Sequence, residues 1–271
     1  MNKKIGFIGC GNMGKAMVGA LIDSPIIENE DIMVSTRSEK SLNELSGQWD
    51  IRTTLVNKEV ATFADILVIA VKPTNHKEVI LEIKDVISEE QTVVLIAAGI
   101  TIEQVEDWFD KKVKIVRTMP NTPVLVNAGM SAICPNEQLS EEDLQDVCQL
   151  FNVFGEYELL EEKDFHAFIA LCGSSPAYIF ILIEAMADAA VKLGLPRSKA
   201  YKMAEQSVLG SAKMALETGL HPAELKDMVC SPGGSTIDAV AELEKRGFRT
   251  AMISAMEVCA EKSKKMQEDT K

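Results

Sequence analysis

Residues 4–17 read KIGFIGCGNMGKAM: a short apolar run, glycines at Gly9, Gly11 and Gly14, and the opening of a helical pattern. The spacing is G-x-G-x-x-G, and each glycine has its own task. Gly9 permits a tight turn, Gly11 lets the backbone approach a pyrophosphate, and Gly14 lets a helix pack closely on a strand. The turn also aims a helix N-terminus, with its unpaired N–H groups and positive dipole end, at an anion. Asn12 and Met13 complete the loop. A lone match to this pattern is weak evidence, but the strand before it and the helix after it favour nucleotide binding over a structural glycine turn.

Outward from this turn, short apolar runs alternate with helical patterns as far as residue 160. KIGFIG, DIMVST, ADILVIAV, TVVLIAA and VKIVRTM are predicted strands, with weaker candidates in MSAIC and GEYELL; NMGKAMVGALID, SEKSLNELS, NHKEVILEIKDVI and TIEQVEDWF follow a 3.6-residue period. This alternation predicts an α/β unit with a mostly parallel, Rossmann-type sheet covered on both faces. Beyond it the chain turns rich in Ala, Met, Leu and Glu. Helices are predicted over 164–193, 197–218, 222–229, 234–246 and 248–266. The expected organisation is a nucleotide-binding domain over 1–162 and an all-helical domain over 163–271. Within the latter, 178–191 is apolar nearly all round, which fits either a core helix or a subunit interface.

Ligands of open α/β sheets sit at the carboxyl ends of the strands. The second strand ends in Ser35, Thr36 and Arg37, where an NAD enzyme usually carries an acid that binds the ribose hydroxyls. Hydroxyls and a guanidinium suit the 2′-phosphate of NADP instead, although Arg37 also reads as a solvated residue before a helix capped by Ser38. NADPH is therefore the favoured cofactor, with NADH possible. Other strand ends supply Val71, Lys72 and Pro73, then Ala97, Ala98 and Gly99, then Pro120 and Asn121 within RTMPNTP. Small residues suit a flat ring, and the prolines stiffen a loop whose amide and hydroxyl can position a ligand.

A second cradle lies at 230–240, CSPGGSTIDAV, where a proline-glycine turn enters a helix. It reads equally as an anion site or as a turn with a helix cap. The chain has 271 residues, 28 Lys and Arg against 41 Asp and Glu, a net charge of −13 and no basic cluster. That balance argues against nucleic acid or an anionic membrane as partner, and leaves an anionic substrate to backbone dipoles or a few cations. The first 22 residues resemble a signal peptide, but Asn12 and Lys15 interrupt the apolar run. Glu184, Asp188 and Lys192 argue against a membrane span in the apolar stretch 177–195. A cytoplasmic location is expected. Six cysteines without a C-x-x-C pair and three scattered histidines signal neither a disulfide framework nor a metal site.

The order GFIGCGNMG, AVKP, AAGI, MPNTP, GSSPAY and SPGGSTIDAV resembles the pyrroline-5-carboxylate reductase family, from Ile5 to about Glu261. MPNTP together with SPGGST carries most of the specificity. The resemblance implies NAD(P)H-dependent reduction of 1-pyrroline-5-carboxylate to L-proline, the last step of proline biosynthesis. It further implies an intertwined homodimer through the helical domain, a possible decamer, and an active site shared between one subunit's cofactor domain and the other's helices. By the same similarity Ser231, Gly233, Gly234, Ser235 and Thr236 form the substrate loop, Asn121 and Ser174 join it, and the Thr236 hydroxyl approaches the ring nitrogen as the catalytic residue. Where the family commonly has GSGPAY, this chain has Ser175 in the third place, which bears on the substrate contacts there. Two other readings stand beside this one. A hydroxyacid or other imine reductase on the same plan would need a catalytic lysine, and Lys192, Lys199 and Lys202 lie outside any matching motif. A non-catalytic NADP-binding sensor would have no use for the second cradle.

Overall fold

The computed structural model describes residues 1–268. The chain divides into two compact units, one formed by residues 1–173 and the end of the last helix, the other by 174–258.

In the first unit the elements run β1 (Ile5–Ile8), α1 (Asn12–Ile22), β2 (Ile32–Ser35), α2 (Glu39–Gln48), β3 (Arg52–Thr54), α3 (Asn57–Phe63), β4 (Ile66–Ile69), α4 (His76–Ile83), β5 (Thr92–Leu95), α5 (Ile102–Phe109), β6 (Lys114–Met119), β7 (Gly129–Pro135), α6 (Glu141–Asn152), β8 (Gly155–Leu159) and α7 (Phe165–Phe168). One sheet of eight strands has the order β3-β2-β1-β4-β5-β6-β7-β8. β3 to β6 are parallel, β7 pairs antiparallel with β6, and β8 runs parallel to β7. This is the Rossmann-type sheet that the alternating pattern predicts, with an antiparallel addition at one edge.

Strand alternation sorts the core into two layers. Ile5, Phe7, Val34, Val68 and Val94 face a layer closed by Met17 and Leu21 of α1, Leu45 of α2 and Phe151 of α6. Ile8, Leu67, Ile69, Val93 and Leu95 face the other, closed by Val60 of α3, Ile80 and Ile83 of α4 and Phe109 of α5. Burial on both faces explains why these strands read as continuous apolar runs. Each such side chain contributes about 1.5–3 kcal/mol. β3, α3 and α6 were not among the predicted elements: β3 is three polar residues at a sheet edge, and α3 has only seven residues.

Arg117, on the central strand β6, is 1% exposed. Its guanidinium pairs with Glu162 at 2.7 Å, donates to Gln267 at 3.3 Å and stacks 4.5 Å from the centroid of Phe165. Glu162 also accepts from the backbone N–H of Ile102 at the start of α5. The buried charge is thus paired and stacked, as a guanidinium at that depth requires.

In the second unit α8 (Ser175–Lys192) packs on α9 (Arg197–Thr218), followed by α10 (Pro222–Val229), α11 (Ser235–Lys245) and the start of α12 (Phe248–Glu268). The helix predicted over 164–193 is broken: α7 passes through a π-helical turn at Ile169–Gly173 before α8 begins. Pro176 at the second position of α8 tolerates such a start because it needs no donor there. By length and composition alone the run Glu162–Lys192 passes as long and apolar enough to cross a membrane, a test that the core helix of a soluble protein passes too. Its charged residues, Glu162, Lys163 and Asp164 at one end and Glu184, Asp188 and Lys192 toward the other, leave an uncharged apolar stretch between them. Phe180, Ile181, Leu209, Ile253 and Val258 are all exposed, and only Ala187, Ala200 and Ala204 of this unit are buried hydrophobics. A unit with so little core leaves apolar faces in need of cover.

Candidate active site

The chain leaves β1 toward β2 and β3, and later continues from β4 in the opposite direction across the sheet. Neighbouring strands β1 and β4 therefore form a topological switch point, and the crevice beyond their carboxyl ends is where such sheets take ligands. Gly9 follows β1 there with φ +88°, a value that favours glycine. A Cβ on Gly9 would lie 2.8 Å from Val71 Cγ1 and 3.0 Å from the Ala70 carbonyl oxygen. A Cβ on Gly14 would lie 3.1 Å from the Gly9 carbonyl oxygen, so α1 comes down tightly on the turn.

Gly11, the residue before α1, has nothing within 4 Å of its would-be Cβ. No side chain caps this helix, and its first turn carries no acid. By contrast α5 and α6 are closed by reciprocal caps, Thr101 with Gln104 and Ser140 with Asp143. The N–H groups at the start of α1 are thus left for an anion, which fits a dinucleotide's pyrophosphate. Cys10 sits in this turn, and burial pushes its thiol up to about 11, so it is not a thiolate at neutral pH.

Beside the turn lies a cleft of about 280 Å³ lined by Gly9, Ser35, Thr36, Arg37 and Val71. Five residues predicted from separate strand ends thus meet around one space. The cleft also contains residues that the sequence reading missed: Leu55, Asn57, Glu78, Val79 and Glu82. Ser35 donates its hydroxyl to Asn57 Oδ1 at 2.8 Å, and Asn57 Nδ2 donates to Glu82 at 2.8 Å. The i, i+4 spacing of Glu78 and Glu82 was visible, but only the sheet order carries α4 to the end of β2.

The remaining strand ends follow the same edge of the sheet. Lys72 and Pro73 follow β4; Lys72 is exposed and its carbonyl accepts from Nδ1 of the wholly buried His76 at 3.1 Å. Ala97, Ala98 and Gly99 follow β5, and Gly99 has φ +82°. Pro120 and Asn121 follow β6, with Asn121 buried and Thr122 exposed. Asn121 donates to the Cys172 carbonyl and accepts from the Met130 N–H, both at 2.9 Å, so its amide holds two backbone segments.

The second cradle belongs to the other unit. Gly233 has φ +68°, and Gly234 donates its N–H to the Ser231 carbonyl at 3.0 Å, turning the chain into α11. Gly234 precedes this helix and no side chain caps it; Ser235 and Thr236 open α11, and Asp238 also stands in its first turn. Ser231, Gly233 and Ser235 are exposed, and Thr236 is half-buried. Ser174 precedes α8, with Ser175 as its first residue.

A Rossmann-type sheet with an open glycine turn at its switch point, joined to a helical unit with a second uncapped helix start, defines a dinucleotide-dependent oxidoreductase of the two-unit class. The pyrroline-5-carboxylate reductase dimerisation profile matches residues 162–266, and the profile described as NADP oxidoreductase, coenzyme F420-dependent, matches residues 4–99. The pyrroline-5-carboxylate reductase of Escherichia coli is 52% identical over 98% of this chain and 99% of its own length. Among solved structures, the Coxiella burnetii pyrroline-5-carboxylate reductase superposes with a TM-score of 0.92 at 36% identity, covering 98% of this chain and 99% of that one. The Plasmodium falciparum pyrroline carboxylate reductase with NADP bound gives 0.88 at 34% identity, covering 98% of each chain. The chain belongs to the pyrroline-5-carboxylate reductase family.

Proposed function

We propose that this chain reduces 1-pyrroline-5-carboxylate to L-proline at the expense of NADPH, the last step of proline biosynthesis. The observation that carries the proposal is the pair of helix starts, at α1 and α11, that open on a glycine with no side-chain cap, on a chain of net charge −13. One start suits a pyrophosphate, the other the single carboxylate of a small cyclic imine. The family relative from Plasmodium falciparum has NADP bound, which supports the same cofactor here.

Gly9, Gly11, Asn12, Met13 and Gly14 hold the pyrophosphate, while Ser35, Thr36 and Arg37 receive the adenosine end. Val71, Lys72, Pro73, Ala97, Ala98, Gly99, Pro120 and Asn121 line the remaining length. When bound, the nicotinamide supplies a hydride to the imine carbon. Ser231, Gly233, Gly234 and Ser235 grip the substrate carboxylate, with Asn121 and Ser174 alongside, and the Thr236 hydroxyl hydrogen-bonds the ring nitrogen as electron density moves onto it. The imine takes its proton from water before transfer, so alignment rather than a strong acid supplies most of the acceleration.

The apolar faces of α8 to α12 are covered by a second copy of the chain, giving a homodimer, assembled further into a decamer. Each active site then joins one subunit's cofactor unit to the other's helices. This cover also accounts for the apolar run Glu162–Lys192 in a soluble, cytoplasmic enzyme. The decisive assay is NADPH oxidation with 1-pyrroline-5-carboxylate at neutral pH, with proline detected as product. A folded chain that binds NADPH but forms no proline would overturn the proposal in favour of a sensor.

A further inference from the structure

The second strand lacks the terminal acid that receives ribose hydroxyls, yet two carboxylates reach the same cleft from α4. Glu78 and Glu82 line it together with Arg37, so the lining holds one cation against two acids. Glu82 does more than add charge. A carboxylate can only accept, so its contact at 2.8 Å fixes which end of the Asn57 amide points toward it. The other end, Oδ1, then faces Ser35 and receives the hydroxyl proton at 2.8 Å. The Ser35 side chain is itself wholly buried, so this pair of bonds anchors the half-buried Asn57 amide, which in turn holds the exposed Glu82 carboxylate on the cleft lining. A ribose 2′-hydroxyl can donate to that carboxylate, whereas a 2′-phosphate, an acceptor of like charge, is repelled by it.

We propose that Glu82, by its charge on the lining and as an acceptor held in place by Asn57, restrains the preference of this cleft for a 2′-phosphorylated adenosine and so keeps the unphosphorylated cofactor usable. Glu82 is a specificity-determining residue anchored by Asn57, and the inference rests on the reading that this cleft holds the adenosine end of the cofactor.

Calorimetric titration of the full chain with NADP⁺ and with NAD⁺ tests it. Glu82→Gln removes the charge while a side-chain oxygen still accepts from Asn57; Glu82→Ala removes both. Glu82 is exposed, so both variants are expected to fold. Glu82→Gln should tighten NADP⁺ by about fivefold and change NAD⁺ less than about twofold, with the gain shrinking at high salt. Glu82→Ala should tighten NADP⁺ to a similar extent while weakening NAD⁺, because the acceptor for the ribose hydroxyl is lost together with the charge. An unchanged ratio of the two affinities in both variants overturns the role of Glu82. Failure of the unmodified chain to bind either dinucleotide overturns instead the reading of the cleft on which it rests.

Discussion

The Asn121 side chain donates to the carbonyl oxygen of Cys172 at 2.9 Å, tying the loop after β6 to the π-helical turn that precedes α8. Its other end accepts from Met130 at the start of β7. The residue that the sequence suggests as a ligand contact thus has a holding role in the fold. Asn121→Ala should lower stability by about 2–3 kcal/mol, because two backbone groups lose a partner. Thermal or urea unfolding measures this. An unchanged melting temperature with weakened cofactor binding would return Asn121 to the ligand.

Gly9 and Gly11 should separate fold from ligand. Gly9→Ala places a methyl against Val71 and the Ala70 carbonyl at a positive φ, and is expected to cost about 1–3 kcal/mol of stability together with cofactor binding. Gly11→Ala meets no protein atom. It should leave the melting temperature within about 1 °C and weaken NADP⁺ by roughly tenfold or more, since the methyl enters the approach of the pyrophosphate. Equal binding by the Gly11 variant would mean that the phosphates lie elsewhere.

Arg37 is exposed at the end of β2, and its guanidinium is the one cation lining the cleft among the described residues. Arg37→Ala should raise KM for NADPH about tenfold and leave KM for NADH nearly unchanged. Parallel kinetics with the two cofactors provide the check. An equal loss with both would assign Arg37 to the common part of the dinucleotide.

Thr236 opens α11 and is half-buried. Thr236→Ala should leave NADPH affinity unchanged and lower kcat by about tenfold or more, the pattern of a group that acts on developing charge at the substrate nitrogen. Unimpaired turnover would remove Thr236 from the chemistry.

Two histidines make stability fall on the acid side. Burial lowers the pKa of His76 below its ordinary 6.5. Burial, and then the Arg117 and Lys264 charges, lower that of His166. The unfolded chain therefore binds more protons below pH 6.5, so the contribution is fully present above that pH and is lost as pH falls through the lower folded values. Melting temperature should drop as pH falls below 6.5, and His166→Gln should lessen the slope. A flat or rising profile over that range would contradict it.

From the sequence alone came the glycine turn, the buried strands β1, β2, β4, β5 and β6, the helical second part and the second cradle. Each is a local pattern: spacing, apolar period, or a turn residue next to a helix start. β3 and α3 escaped because short or edge elements carry little periodicity, whereas α6, twelve residues long, had a legible signal in its Ser140–Asp143 cap and the apolar Val147, Leu150 and Phe151. The break at Ile169–Gly173 escaped too, since apolar residues on both sides read as one helix. Only the tertiary structure brought Asn57 between Ser35 and Glu82, because segments 22 and 25 residues apart meet through the sheet order rather than through any local pattern. The same holds for Asn121, whose chemistry the sequence displayed and whose partners, Cys172 and Met130, were chosen by the packing of the chain around it.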